Sequence, residues 1–126
     1  MANSDIQMDK DRAVNFLQLV IAGNIDEAYE KYVDMGGKHH NAFFPAGFSN
    51  LQTAMKEDQA QSPHKQITIV NVLSDGDRVA IHSHLRRGSD DMAVVHLFRF
   101  KDGRIVELWD CGQMLPQEIP NRDGAF

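Results

Sequence analysis

The sequence has little of what secreted or membrane-spanning chains use. Cys111 is the single cysteine among 126 residues, so no disulfide can form within the chain, and a reducing compartment is favoured. The first residues, Met1–Asp5, lack the basic segment of a secretory signal peptide. The most apolar early run, Val14–Ala22, is too short to cross a bilayer. We therefore expect a cytoplasmic protein that does not bind membranes.

Positive charge is also scarce. The chain has 13 lysine and arginine residues against 18 aspartate and glutamate residues, which gives a formal net charge of −5. Only Arg86 and Arg87 are adjacent basic residues. A nucleic-acid-binding domain needs a basic face, so we expect no nucleic-acid partner. The length and the 42% apolar content suit a single globular domain that spans residues 1–126.

The first half of the sequence has helical spacing. A first helix is predicted to end at Gly23, a second to run from Asn24 to Gly36, and a third to begin at Ser49 and end before Pro63. A Ser-x-x-Gln capping box supports the start of the third helix. The apolar residues of the first helix recur at three- and four-residue intervals: Val14, Leu17, Val20 and Ile21.

The second half changes to the alternation of strands separated by glycine-containing turns. Helices followed by an antiparallel meander predict an α+β fold, with the helices on one face of a curved sheet. The concave side of such a sheet can hold a small ligand. Four strands are predicted: 67–73, 78–87, 92–100 and 104–113.

The register of the last hairpin decides whether His96 and Asp110 share a face. A two-residue turn would pair His96 with Trp109 and place Asp110 on the opposite face. A three-residue loop beginning at Lys101 would pair His96 with Leu108 and place Asp110 on the same face. We favour the second arrangement because it gathers the apolar residues of both strands on one side. These residues are Val94, Phe98, Phe100, Val106 and Leu108.

On that face Asp110 and His96 would form a carboxyl–imidazole pair within an apolar surface. Burial raises the pKa of a carboxyl group and a neighbouring imidazolium lowers it, which is how catalytic acids and bases are tuned. The alternative is a structural pair, or an Asp110 that accepts hydrogen bonds from backbone amides. The other face would be apolar enough for a homodimer through the sheet. It carries Val95, Leu97, Trp109 and Cys111.

Several motifs, in order, resemble the SnoaL-like proteins of the nuclear transport factor 2-like superfamily. The segment GRIVELWD, Gly103–Asp110, followed by Gln113, resembles the family's glycine turn, I-V-E-x-W-D strand and glutamine. The segments Val79–His84 and Phe98–Phe100 resemble its neighbouring strands. The remaining matches are His40-Asn41 after a helix with Tyr29 and Tyr32, and Pro120-Asn121 and Phe126 in the tail.

The resemblance implies a cone-shaped α+β barrel with a pocket inside. Some family members are polyketide cyclases that perform an aldol condensation, in which the aspartate of the W-D strand is the general acid/base. By position that role falls on Asp110, and the neighbouring histidine corresponds to His96. The family's His-Asn element is usually followed by proline, whereas here Ala42–Phe44 precedes Pro45.

The other histidines allow a further interpretation. His82 and His84 lie two apart on a strand and could ligate a metal, but the glutamate of the corresponding cupin motif is absent. Of His39 and His40, only one is expected to enter the pocket, and the resemblance selects His40. The candidate substrate-binding residues are His40, Asn41, Phe43, His82, His84, Phe98 and Trp109.

These expectations support one principal function and two alternatives. The principal one is an enzyme that needs no cofactor or metal and uses Asp110 and His96 for aldol condensation, cyclisation or isomerisation of a small apolar carbonyl compound. The first alternative is a non-catalytic module for ligand binding or dimerisation on the same fold. The second is a metal-dependent enzyme that uses His82 and His84.

Overall fold

The structure, a computed structural model, describes residues 3–126, with side chains from residue 5 onward. Three helices and one strand occupy the first half of this region, and four further strands follow one another directly. The elements are α1 (Asn3–Ile21), α2 (Ile25–Tyr32), β1 (Val33–His39), α3 (Phe48–Gln61), β2 (Gln66–Asp75), β3 (Arg78–Arg87), β4 (Asp90–Lys101) and β5 (Arg104–Met114).

The strands form one mixed sheet in the order β1-β5-β4-β3-β2. Strands β2 to β5 are an antiparallel meander, and β1 pairs in parallel with β5. The predicted α+β class is confirmed. The sheet is curved but remains open, because β1 and β2 are its two edges and do not pair with each other.

The helices cover one face of the sheet, which we call the inner face. Phe16 of α1 contacts Phe98 of β4 edge to face, with ring centroids 5.9 Å apart, and also contacts Tyr29 of α2. Tyr29 in turn contacts Phe48, the first residue of α3. Each of these aromatic side chains is almost fully buried, so their packing contributes a large share of the core's hydrophobic stabilisation.

Two predictions about the first half of the chain are wrong. The second helix does not reach Gly36, because the chain becomes extended at Val33 and adds strand β1 to the sheet. The third helix begins at Phe48 and its N-cap is Gly47, with no side-chain capping bond, so the Ser49 capping box does not form. Burial of Phe48 against Tyr29 favours a helix that begins before Ser49.

The hairpin between β4 and β5 combines a tight turn with a bulge. Lys101 pairs with Arg104 across a two-residue turn, in which Asp102 and Gly103 both have positive φ, as a type I′ turn requires. The register then shifts by one residue at Val106.

His96 consequently pairs with Asp110, so neither predicted partner, Leu108 or Trp109, is correct. The predicted common face of His96 and Asp110 is confirmed, because directly opposite residues project to the same side. Val106 leaves the core face at the bulge, and Ile105 takes its place opposite Phe100.

None of the helices within residues 3–126 is long and apolar enough to cross a membrane.

Candidate active site

Asp110 and His96 lie side by side at one end of the inner face. They are direct cross-strand partners on β5 and β4, and His96 is also opposite Ile81 on β3. His96 therefore has an apolar neighbour on one side and a carboxyl group on the other.

Asn41, just beyond the end of β1, is the hydrogen-bond partner of Asp110. Its Nδ2 donates to Asp110 Oδ2 at 3.1 Å, and its Oδ1 accepts the backbone N–H of Phe43 at 3.0 Å. Because a backbone N–H can only donate, the carbonyl side of the Asn41 amide must face Phe43 and the NH₂ side must face Asp110. Asp110 Oδ1 has no hydrogen-bond donor among the described residues and is free to accept a proton from a ligand.

His39 holds the segment that carries Asn41. Strand β1 pairs His39 with Leu108, which places the His39 side chain on the inner face, and the residue is 7% exposed. Its Nδ1 accepts the backbone N–H of Asn41 at 3.1 Å, and its Nε2 lies 2.9 Å from the carbonyl oxygen of Pro45. Because the carbonyl must accept, His39 is the neutral tautomer with its proton on Nε2. His39 thereby links both ends of the loop that borders the site.

His96 is the residue of the site whose pKa is shifted from its ordinary value. Burial lowers the pKa of its imidazole below the ordinary value of 6.5, and the nearby Asp110 carboxylate raises it by less. Its Nδ1 is buried and has no hydrogen-bond partner within the described residues. His96 is therefore a neutral imidazole near pH 7, and its Nδ1 is not committed to a hydrogen bond with the described residues.

A cavity of about 400 Å³ adjoins these residues. It lies where β3 ends, β4 begins and β5 ends, and the loop after β1 covers one side. Among the described residues no lysine or arginine lines it, and its walls are mainly apolar. The lining residues include Asn41, Phe43, Leu85, Met92, Val94, His96 and Asp110.

The loop side of the cavity is where this chain departs from the His-Asn-Pro pattern. Phe43, one of the candidate substrate-binding residues, lines the opening and is 88% exposed, so it forms a lip at the entrance. Phe44 is also exposed. Phe43 leaves apolar surface in water at the entrance, where the apolar body of a ligand could cover it.

Four predicted substrate-binding residues do not line this cavity. His82 and His84 alternate out to the opposite, outer face of the sheet, where they pair with Val95 and Ala93. Trp109 is on the outer face for the same reason, since it neighbours Asp110 in an extended strand. Phe98 is on the inner face but is fully buried in the core against Phe16.

His40 is at the edge of the cavity, but its imidazole contacts side chains on the outer face of the sheet. Its Nε2 lies 2.5 Å from Glu107 Oε2 on the outer face, and its ring stacks on Trp109. His40 thus lines the edge of the cavity, and substrate binding by His40 stays a prediction. The β1 register places His39 on the inner face as well, but His39 holds the loop and is not among the residues that line the cavity.

The outer-face histidines have their own partners. His82 is within 3.1 Å of Asn71, His84 is within 3.1 Å of Asp91, and the ring of Phe126 packs against both. Across the part of the chain that the structure describes, no three histidine, cysteine, aspartate or glutamate side chains are grouped to hold a metal ion.

Sequence reasoning missed three apolar residues of the cavity wall, Leu85, Met92 and Val94, as ligand contacts. A signal for them was present. Leu85 and Met92 pair with each other near the β3–β4 turn. Val94 lies two residues before His96 in the same strand and therefore projects to the same face. What the alternation could not indicate is which end of the sheet the helices leave uncovered.

Comparison with known proteins identifies the family. The SnoaL-like domain model matches residues 13–108, a span that ends before Asp110. No curated protein matches the chain.

Solved structures share the fold at low sequence identity. IdmH, "a putative polyketide cyclase from Streptomyces antibioticus", is 20% identical with a TM-score of 0.72, over 82% of this chain and 91% of that one. A "putative ketosteroid isomerase from Kribbella flavida" is 16% identical with a TM-score of 0.74, over 94% and 87%. A "putative polyketide cyclase" from Acidithiobacillus ferrooxidans is 21% identical with a TM-score of 0.70, over 89% and 91%. The chain belongs to the SnoaL-like family.

Proposed function

We propose that this protein is an enzyme that performs acid/base chemistry without a cofactor on a small, uncharged carbonyl compound. The observation that carries the proposal is a carboxyl group with one uncommitted oxygen, Asp110 Oδ1, beside an apolar cavity and a neutral imidazole. Structural relatives described as polyketide cyclases and a ketosteroid isomerase are consistent with such chemistry.

The proposed reaction begins with removal of a proton from the carbon next to a carbonyl group. Asp110 Oδ1 accepts the proton, and the C–H electron pair becomes that of an enolate. The N–H of the neutral His96 imidazole stabilises the enolate oxygen by a hydrogen bond. The enolate carbon then attacks a second carbonyl carbon of the same molecule, and the oxygen of that carbonyl takes the proton back from Asp110 as its C=O π bond becomes a C–O single bond. Alternatively, Asp110 returns the proton to a different carbon of a conjugated enolate. The first outcome is an aldol cyclisation and the second is an isomerisation.

Asn41 has a supporting part in this scheme. Its Nδ2 hydrogen bond to Asp110 Oδ2 fixes the plane of the carboxyl group, so that Oδ1 is directed at one place. General acid/base groups placed in this way typically contribute a rate factor of about 10²–10⁴.

The cavity supports an uncharged, compact substrate. A volume of about 400 Å³ is within the usual range for small-molecule sites and suits a molecule with one to three fused rings. An anionic substrate would meet the Asp110 carboxylate without any lysine or arginine in the wall to offset the repulsion.

Exchange of α-protons for deuterium tests the proposal without knowledge of the natural substrate. A panel of uncharged cyclic ketones and 1,3-diketones is incubated with the protein in D₂O and followed by NMR. We expect faster exchange with the wild type, and a loss of about 10²–10⁴ in the enzyme-dependent rate in Asp110→Asn.

The matched control for that variant is Asp75→Asn, an exposed carboxyl group at the β2–β3 turn, which should exchange ketone protons at the wild-type rate. Enzyme-dependent exchange that survives fully in Asp110→Asn would exclude Asp110 as the base.

A second proposal, association of two copies through the outer face, has a specific observation in its favour. A row of apolar side chains crosses four strands there, because the registers align Leu73, Ala80, Leu97 and Trp109. Leu73 is 66% exposed, so this row is not covered by the chain itself at the β2 edge. Light scattering at high micromolar concentration should give twice the chain mass, and Leu73→Lys with Leu97→Lys should give the monomer. A wild-type monomer at that concentration would remove the proposal.

A further inference from the structure

Two short segments contact each other on both faces of the sheet. One is His40-Asn41, at the end of β1, and the other is Glu107–Asp110 of β5. The chain alternates sides at each residue, so His40 is outside and Asn41 inside, while Glu107 and Trp109 are outside and Asp110 inside.

The outer contact has two parts. Glu107 Oε2 is 2.5 Å from His40 Nε2, and the His40 ring stacks on Trp109 with centroids 5.1 Å apart and planes 12° from parallel. Glu107 is buried, and its Oε1 accepts a hydrogen bond from Arg99 Nε at 3.0 Å. The hydrogen bond from His40, with help from Arg99 and Lys38, keeps the pKa of the Glu107 carboxyl below its usual value.

The inner contact is the Asn41–Asp110 hydrogen bond of the proposed active site. Backbone pairing alone does not secure it. The ladder between β1 and β5 ends at His39 and Leu108, followed by one more bond from His40 N to Leu108 O. The backbone N–H of Asn41 then bonds to the His39 side chain instead of to β5.

We propose that Glu107 and His40 are positioning residues for the catalytic carboxyl group, with Trp109 as the platform on which the His40 ring rests. The outer contact holds the end of β1 against β5, and strand alternation then places the Asn41 amide at Asp110. The Glu-x-Trp-Asp segment of β5 and the His-Asn segment after β1 therefore act together: their outer-face contact positions their inner-face hydrogen bond. The catalytic role of Asp110 in this proposal rests on the proposed function. The connection between the two segments does not depend on it.

The first measurement does not depend on activity. The side-chain ¹⁵NH₂ signals of Asn41 are assigned by NMR in the wild type, in His40→Phe and in Glu107→Gln. His40→Phe keeps an aromatic ring on Trp109 and removes the bond to Glu107, while Glu107→Gln keeps an acceptor oxygen. We expect a large shift of the Asn41 signals in His40→Phe and a smaller one in Glu107→Gln, with both proteins folded. The matched control is His82→Phe, which removes another outer-face imidazole bonded to one side chain, Asn71, and should leave the Asn41 signals unchanged.

The second measurement is the rate of α-proton exchange in a double-mutant cycle. We expect His40→Phe to lower the rate about tenfold, as a misplaced catalytic group does. If His40 acts through Asn41, the double variant His40→Phe/Asn41→Ala should be no slower than Asn41→Ala alone.

Unchanged Asn41 signals in both outer-face variants would overturn the proposal, as would rate losses that multiply in the double variant. If no ketone is exchanged by the wild type, the proposed function fails, and the Asn41 signals still decide whether the connection exists.

Discussion

At the scale of single residues, the polar groups of the candidate site differ in how many hydrogen bonds they make with the protein. Asn41 uses both ends of its amide, whereas His96 Nδ1 is buried without a partner within residues 3–126. A buried imidazole that lacks partners is easier to keep neutral than to charge, because the charged form loses its hydration. The burial that leaves His96 Nδ1 without a partner therefore makes protonation of His96 unfavourable for the fold.

His96 should make stability depend on pH in a defined direction. Its pKa in the folded state is below the ordinary 6.5, so the unfolded chain binds a proton more readily as the pH falls below 6.5. The free energy of unfolding should therefore decrease as the pH is lowered from 6.5, until the folded form is also protonated. Urea unfolding at a series of pH values should show a steeper decrease for the wild type than for His96→Gln. An imidazole that titrates by NMR at or above 6.5 in the folded protein would contradict this.

Ser83 is a second buried polar residue without a partner. Its Oγ has no hydrogen bond within the described residues, and the residue lies on the inner face opposite Val94. Removing a buried hydroxyl group that has no partner costs little, so Ser83→Ala should leave the free energy of unfolding unchanged or raise it by up to about 1 kcal/mol. Urea denaturation measures the free energy of unfolding of Ser83→Ala, and Ser89→Ala, in the exposed β3–β4 turn, is the control. A loss above about 1.5 kcal/mol would mean that the Ser83 hydroxyl has a partner.

At the scale of elements, the junction of β1 and β5 determines the site. Val33 pairs with Ile105 and Lys38 pairs with Glu107. Between these two pairs β1 advances by five residues and β5 by only two, so the pairing is not a regular ladder. At the bulge the carbonyl group of Val106 is directed at Gly37. A Cβ added to Gly37 would lie 2.3 Å from that carbonyl oxygen and 3.0 Å from the ring of Phe48. Only glycine allows the two backbones to approach so closely.

Gly37→Ala should therefore be severely destabilising, while its neighbour provides the control. We expect a loss of about 3 kcal/mol for Gly37→Ala, because backbone and a core ring would both have to move. At Gly36 an added Cβ would meet only the flexible Asp34 carboxyl group, at 3.3 Å, so Gly36→Ala should change stability by less than about 1 kcal/mol. Thermal and urea unfolding of the two variants measure this, and equal effects would show that the close approach is absent.

At the scale of the whole molecule, the cavity is a property of the open end of the sheet. The helices cover the inner face around Phe98, whereas the loop that follows β1 borders the cavity beside His96 and Asp110. The site thus combines a rigid floor on three strands with an exposed apolar lip at Phe43. Its wall has one carboxyl group and no lysine or arginine, which favours uncharged ligands.

Ligand-dependent stability should reveal this preference. An uncharged bicyclic ketone at ten times its dissociation constant should raise the free energy of unfolding by about 1.4 kcal/mol. A carboxylate of the same size and shape should have no effect at that concentration, because it would be placed beside Asp110. Thermal unfolding with each compound measures the difference, and equal stabilisation by the carboxylate would contradict the charge argument.

Much of the fold was predictable because it depends on local patterns. Strands β3 and β5 begin where alternation predicts, and the common face of His96 and Asp110 is confirmed. Their direct pairing was not predictable, because it results from a two-residue turn and a bulge at Val106 that shift the register in succession. The inward position of His39 was missed for a related reason, since the two glycines of β1 concealed a strand.

The sequence by itself determined the class of fold, the alternation of strands β2 to β5 and the family, because periodicity and turn residues act within a few positions. Only the tertiary structure decided on which face of the sheet each histidine lies, which aromatic residues line the cavity and how Asn41 reaches Asp110. These features depend on the pairing of β1 with β5, between residues about 70 positions apart in the chain. A single extra residue in either strand reverses which side chains point inward, and only the assembled sheet shows how many such residues there are.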